Sequence, residues 1–351
     1  MKTMHALVLH RVGDVRFESI PCPEPGPGQV RVRVGYCGVC GSDIPRLFEK
    51  GTYRFPLVCG HEFAGTVDLC GPDVAGFEKG QIVAVFPLIW CGHCPACERG
   101  HYAQCLNYSY LGSRENGAFA EYVVAPARNL LPVPEGVSLE EAAMTEPAAV
   151  ALHALRRTGR NLTGLTVAVF GCGPIGLLAA LWARLGGAVK ILLFDVAEEK
   201  LALARSLGFS MAFSAEEEDP VSCIERETRS QGADVCIEAA GVPATLIQAC
   251  SACGRGGQVV LLGNPSADVV LPAPLLSQMM RREVTVVGTW NSEYGVYTTS
   301  DDWHTTLSAM AAGQFNVQPL ISHKVPLVQA VEMLQAMRQR QVPFVKVLIS
   351  P

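Results

Sequence analysis

Short apolar and β-branched runs, each cut off by glycine or proline, fill the first 150 or so positions, at residues 30–34, 64–69, 82–86 and 121–124. Spacing of this kind predicts an antiparallel or barrel-like all-β domain. After Leu162 the texture changes. A strand-like run at 166–170 is followed by a helical run at 175–185, then a strand at 190–194 and a helix at 198–207. Further strands are expected at 235–238, 259–262 and 284–288. Strands alternating with helices imply βαβ units, hence a parallel sheet with helices on both faces. From 291 to 351 the segments are mixed, and 346–349 reads as a closing strand that packs back on the first domain. The expected division is therefore 1–150, completed by 291–351, around an inserted domain at 151–290.

A chain of 351 residues exceeds what one core usually serves, which agrees with two domains. With 49% apolar and 17% charged residues and a mean hydropathy of +0.24, it can fill large cores and does not read as disordered. A net charge of -5 gives no broad basic field for nucleic acid. The opening MKTMHALVLHR has an apolar run too short for a secretory signal, so a cytoplasmic protein is expected. Its 14 cysteines are then read for metal before disulfides. The nearly uncharged stretch 167–183 has the apolar character of a membrane span. Gly171, Gly173, Pro174 and Gly176 inside it argue instead for a buried strand, turn and helix, and no membrane is expected.

That turn is the first candidate site. Gly171-Cys-Gly173-Pro174-Ile175-Gly176 directly follows the strand TVAVF and opens a helix, the context a G-x-G-x-x-G dinucleotide loop requires. Gly171 permits the tight turn, Gly173 lets backbone approach a pyrophosphate, and Gly176 lets helix and strand pack closely. The helix N-terminus presents N–H groups and positive dipole to the phosphates. Asp195 lies 19 residues beyond Gly176, at the end of KILLFD, where a carboxylate accepts hydrogen bonds from a ribose. The same carboxylate repels a 2′-phosphate, which favours NAD over NADP.

Four cysteines, Cys91, Cys94, Cys97 and Cys105, fall within fifteen positions together with Gly92, Pro95 and Gly100. Such short spacers let backbone fold around one tetrahedral ion, and four thiolates leave no position for substrate, so this zinc should be structural. His93 lies inside the cluster, but four sulfurs suffice. A second set is dispersed: Cys40 in GVCGSD, His61 and Glu62 in CGHEFAG, and Glu146 in TEPAAV. A thiolate, an imidazole and carboxylates suit zinc with a position left open. Spacing alone leaves that grouping undecided against isolated core or surface residues.

In their order along the chain, Cys40-Gly-Ser42-Asp43, Gly60-His61-Glu62-x-x-Gly65-x5-Gly71, the four-cysteine lobe, Glu146-Pro147 and the glycine loop resemble the zinc-containing medium-chain alcohol dehydrogenase/reductase family, end to end. CGSDIPRLFEKG, FPLVCGHEFAG, YLGSRENGAFAEYVV and LLGNPS look most like its polyol branch, which includes sorbitol dehydrogenase. The resemblance implies an α/β chain with a partly open β-barrel (GroES-like) catalytic domain interrupted by a Rossmann doubly wound parallel sheet. It implies two zinc ions per subunit and NAD, with hydride passing from a secondary alcohol of a sugar alcohol, or its phosphate ester, to nicotinamide. Cys40, His61 and Glu146 become catalytic zinc ligands, Glu62 an exchanging one, Asp43 the acceptor that fixes the His61 tautomer, and Ser42 the proton relay. Pro174, Ile175, Lys200 and Lys346 join the cofactor contacts, Lys346 as the basic residue aimed at the pyrophosphate.

One departure stands out: Pro45 sits where many relatives carry a histidine relay, leaving water, ribose hydroxyls or another side chain such as His153 to release the proton. Tyr53, Phe119, Trp290 and Asn291 are substrate candidates by family position, and Arg46, Lys50 or Arg114 would serve a phosphate. The family also implies a homodimer or homotetramer. A free polyol of the sorbitol or xylitol type, or threonine, is the rival substrate, and a non-catalytic zinc- or NAD-binding protein the rival class.

Overall fold

The computed structural model describes residues 2–351. Two compact units divide the chain, Met1–Glu146 with Glu293–Pro351, and Pro147–Ser292.

The first unit begins with ten strands: β1 (Thr3–Arg11), β2 (Asp14–Pro21), β3 (Gln29–Gly38), β4 (Leu57–Val58), β5 (Glu62–Cys70), β6 (Ile82–Val85), β7 (Leu88–Ile89), β8 (Ser109–Tyr110), β9 (Tyr122–Pro126) and β10 (Leu130–Pro132). The second unit holds β11 (Thr166–Phe170), β12 (Lys190–Asp195), β13 (Ala212–Ser214), β14 (Ala233–Glu238), β15 (Cys253–Leu261) and β16 (Thr285–Gly288). The chain then returns to the first unit with β17 (Ile321–Pro326) and β18 (Lys346–Ser350).

In the first unit a seven-stranded sheet runs β10-β6-β5-β3-β18-β17, with β9 also paired to β3, and a second sheet runs β2-β1-β4. Period-two alternation explains β3: Val30, Val32 and Val34 are buried in the core while Arg33 faces out. They pack with Leu7, Leu57, Phe63, Phe119, Val123 and, from the far end of the chain, Leu334 and Val347. Leu348 and Ile349 of β18 pair antiparallel with Gly38 and Cys37 of β3. That puts the last strand inside the sheet rather than at its rim.

The second unit is a six-stranded parallel sheet in the order β13-β12-β11-β14-β15-β16. Renumbered from its own first strand this is 3-2-1-4-5-6, the doubly wound order of a dinucleotide fold. Its strands are apolar on both faces because both are covered; Val167 through Phe170 are fully buried. The apolar stretch 167–183 resolves into β11, the glycine turn and a 12-residue helix, Pro174–Leu185. Among the described residues no helix is long and apolar enough to cross a membrane.

Candidate functional site: a metal cluster, a cysteine lobe and a dinucleotide loop

Cys40, His61 and Glu62 bring their ligand atoms within 4.8 Å of one another. Local folding explains how. Cys40 lies just beyond β3 in a turn that Asp43 closes, its Oδ2 accepting the Cys40 N–H at 3.0 Å. His61 and Glu62 lie at the start of β5, with Glu62 paired opposite Gly38. A Cβ on Gly38 would fall 2.2 Å from Glu62 Oε2, so the carboxylate occupies the space a side chain would take. A sulfur, an imidazole nitrogen and a carboxylate oxygen converging in buried surroundings fit zinc.

Fully buried Asp43 accepts the Arg46 guanidinium on Oδ1 at 2.7 Å, and the same oxygen lies 3.5 Å from His61 Nδ1. The latter is an electrostatic contact without hydrogen-bond geometry, and Nδ1 has no other partner. Burial works against charge on both groups, yet their attraction, with Arg46 and the Cys40 N–H, holds the Asp43 carboxyl below its usual range. His61 is likewise raised, since Asp43 and Cys40 outweigh its desolvation. Ser42 Oγ donates to Cys40 Sγ at 3.3 Å and is exposed, so its hydroxyl stands between the cluster and solvent.

Glu146 does not share that 4.8 Å cluster. Its Oε1 accepts the Tyr110 hydroxyl at 3.3 Å, and burial pushes its carboxyl up to about 7. Tyr110, whose ring meets His61 edge-on at 5.7 Å, was missed in the sequence, where no spacing distinguishes it from any other strand aromatic. Lys346 is 3% exposed within the first unit, donating to Glu62 Oε2 at 2.7 Å and to Val39 O at 3.2 Å. Phe119 is fully buried, packed where a Cβ on Gly60 would lie 2.6 Å from its ring, and Arg46 is committed to Asp43.

In the lobe, Cys94 and Cys97 place their sulfurs 3.5 Å apart, while the Cys91–Cys97 and Cys94–Cys105 pairs are at 4.0 Å. A tetrahedron with zinc–sulfur arms of about 2.3 Å has edges of roughly 3.8 Å, so the spacing suits one ion. Backbone N–H groups of Leu106 and Cys97 lower the Cys94 thiol to about 6, towards the thiolate a metal needs. Burial, with the neighbouring thiols, raises Cys97 to about 12. His93 is exposed, its ring at 2.9 Å from Cys91 O. Trp90 stacks on Tyr102 at 4.3 Å and carries the Arg128 guanidinium at 4.2 Å, which fixes the lobe's edge.

In the second unit Gly171 has φ +103°, a conformation L side chains rarely adopt. A Cβ on Gly176 would fall 1.9 Å from Gly171 O, which is why only glycine allows helix Pro174–Leu185 to start so close to β11. Gly173 caps that helix, and a Cβ there would meet nothing within 4 Å. The open space above it, with the helix N–H groups of Ile175 and Gly176 behind, fits a pyrophosphate. Asp195 at the end of β12 accepts Cys172 N–H at 2.7 Å and Ala197 N–H at 2.9 Å, with Lys200 Nζ 3.7 Å away.

With these features in place, the comparisons with known proteins fall on the same residues. Positions 26–135 match the alcohol dehydrogenase GroES-like domain and 174–312 match the zinc-binding dehydrogenase domain. The protein therefore belongs to the zinc-dependent medium-chain dehydrogenases, oxidoreductases that use zinc and a nicotinamide cofactor. Within that family it is 33% identical to galactitol 1-phosphate 5-dehydrogenase of Escherichia coli (strain K12), over 99% of this chain and 100% of the relative. The crystal structure of galactitol-1-phosphate dehydrogenase from Escherichia coli matches with a TM-score of 0.93 at 32% identity, covering 99% and 100% of the two chains. Sorbitol dehydrogenase of Bacillus subtilis (strain 168) is 30% identical over 100% of this chain and 98% of its own. A zinc-binding dehydrogenase of Sinorhizobium meliloti 1021, solved bound to NADP, matches with a TM-score of 0.90 at 31% identity and full coverage of both chains.

Proposed function

We propose that this protein oxidises a secondary alcohol of a phosphorylated polyol, galactitol 1-phosphate being the first candidate, to the keto-hexose phosphate with reduction of NAD. The observation that carries the reading is the Cys40–His61–Glu62 cluster with the Ser42 hydroxyl beside it, in a chain alike from end to end to a galactitol 1-phosphate 5-dehydrogenase.

In this reading Cys40, His61 and Glu62 hold the catalytic zinc, with Glu146 a further ligand, and the four-cysteine lobe holds a structural one. Zinc in such a site is a Lewis acid that makes an alcohol more acidic and so eases loss of hydride. Ser42 Oγ accepts the alcohol's proton and passes it to water, since Pro45 offers no relay. Hydride leaves the carbinol carbon for nicotinamide, so one alcohol and NAD+ give one ketone, NADH and a proton. Asp43 holds His61 in place, Tyr110 does the same for Glu146, and Lys346 fixes Glu62. In the second unit Gly171, Gly173 and Gly176 shape the pyrophosphate seat, and Asp195 accepts from the adenosine ribose and disfavours a 2′-phosphate. We further propose that the chain acts as a homo-oligomer. Strand β16 is the edge of its sheet, and Val286 on it, with Met280 on the preceding helix, is exposed.

The test is NADH or NADPH formation by zinc-loaded protein with galactitol 1-phosphate, galactitol, sorbitol, xylitol and threonine. Preference for the phosphate ester with NAD is expected. Turnover of a free polyol or threonine alone would keep the chemistry and overturn the substrate, and no turnover on any would overturn the enzyme reading.

A further inference from the structure

The loop between β8 and β9 carries an arginine held as if for a ligand. The Arg114 guanidinium lies between two tyrosine rings, 4.3 Å from the centroid of Tyr53 on one side and 4.3 Å from that of Tyr108 on the other. Its Nη1 donates to Tyr108 O at 3.0 Å, and its Nε is buried with no partner. The charge is not neutralised locally. Glu115, next in sequence, turns to Arg54 at 3.6 Å and to Ser109 at 3.0 Å, and among the described residues no carboxylate is in ion-pair range of Arg114. An arginine flanked by two rings, with Nη1 on Tyr108 O, Nε walled off from solvent and Nη2 without an acceptor among the described residues, is prepared to donate from Nη2 to an acceptor oxygen.

Its position relative to the metal cluster is rigid. A Cβ on Gly117 would fall 2.1 Å from Gly60 O and one on Gly112 2.6 Å from the same atom, so the loop is pressed onto the residue before His61. Gly117 N–H donates to Val58 O at 2.7 Å and Ala118 N–H to Gly60 O at 2.9 Å. An aromatic path runs along the same loop: Tyr108 meets Tyr110 edge-on at 6.5 Å, and Tyr110 meets His61 at 5.7 Å. Tyr53 is 72% exposed, so the far side of the sandwich opens to solvent.

We propose that Arg114, clamped by Tyr53 and Tyr108, is the subsite for the phosphate of the substrate, selecting a polyol phosphate over the free polyol while the reacting carbon lies beside the Cys40–His61–Glu62 cluster. This rests on the phosphorylated-polyol reading above. The Nη2 of Arg114 takes a phosphate oxygen, and the tyrosines hold the guanidinium so that little freedom is lost on binding. Arg54, whose Nε donates to Arg114 O at 2.9 Å, adds positive charge beside it.

The experiment compares kcat/KM for galactitol 1-phosphate with that for galactitol in zinc-loaded wild-type protein, Arg114→Gln, Arg114→Lys and Tyr53→Ala. It also measures inhibition by inorganic phosphate. Loss of a charge-assisted contact predicts a roughly ten- to hundredfold fall in the phosphate-to-free ratio for Arg114→Gln. Arg114→Lys should restore part of that ratio, and Tyr53→Ala should lower it severalfold. Competitive inhibition by phosphate should weaken in parallel. A preference for the ester that survives Arg114→Gln, or a parallel fall on both substrates, would overturn the assignment and leave the substrate reading intact. If the wild type shows neither the preference nor inhibition by phosphate, the substrate reading fails and the subsite with it. Should Arg114→Gln not fold, the Tyr53→Ala ratio decides, and no change in it overturns the clamp.

Discussion

Replacing Lys346 by methionine tests how the cluster is held before metal enters. The side chain keeps its length and apolar stem and loses only the ammonium, so packing around β18 is disturbed little. What remains is Glu62, 1% exposed, without the cation 2.7 Å from its Oε2. Removing one partner of a buried ion pair costs about 3–5 kcal/mol, a large share of the 5–15 kcal/mol that holds a typical domain. For a folding unit of this size each kcal/mol moves Tm by roughly 2–4 °C, so metal-free Lys346→Met should melt about 6–20 °C below wild type. Zinc loading should narrow the gap, because the ion then faces the same carboxylate. Adding Glu62→Gln to Lys346→Met should recover most of the metal-free loss, since no unpaired charge is left buried. The assay is calorimetry or dye-monitored melting of all three proteins with and without zinc. A metal-free Lys346→Met that melts within a degree or two of wild type, or a double variant no better than the single, would refute the reasoning.

Glu146 supplies a pH dependence. Its folded pKa of about 7 against an ordinary 4.5 means that the folded, metal-free protein holds a proton the unfolded chain releases between those values. Its contribution to stability is thus complete below pH 4.5 and lost as pH rises through about 7, by up to roughly 3 kcal/mol, and Glu146→Gln should flatten melting curves across that window. Cys94→Ser should lower zinc content by one ion per chain, measured by atomic emission, and lower Tm by several degrees; unchanged zinc would remove Cys94 from the lobe's ligands. Gly176→Ala drives a Cβ to within 1.9 Å of Gly171 O and should abolish NADH binding, read by fluorescence, and lower stability by about 1–3 kcal/mol. Retained binding at wild-type affinity would contradict the close packing of that turn.

The sequence showed where the elements are more readily than which of them pair. The period-two valines of β3 and the apolar runs of β11 and β12 announced themselves, as did the glycine loop, because their signals are local. The order β13-β12-β11-β14-β15-β16 and the insertion of β18 beside β3 depend on contacts between distant residues, which periodicity does not carry. The same distinction governed the site. Cys91, Cys94, Cys97 and Cys105 were legible because short spacers force them together. The pairing of Lys346 with Glu62 was not legible, because the two lie 284 residues apart. Strand β15 starts at Cys253, earlier than the apolar run, because Gly254, Gly256 and Gly257 hid the strand from a hydrophobic count.

The place of β18 bears on how the protein is made. Residues 147–292 form an uninterrupted stretch whose sheet needs nothing from either flank, whereas Cys37 and Gly38 at the end of β3 pair with residues that emerge from the ribosome only after that whole stretch. Domains tend to fold as units during synthesis. The inserted dinucleotide-fold unit can therefore settle first, while Cys37 and Gly38 at the end of β3 stay unpaired on that side until β18 emerges. That interval is when the nascent chain is most exposed to strand-to-strand aggregation and most in need of a chaperone.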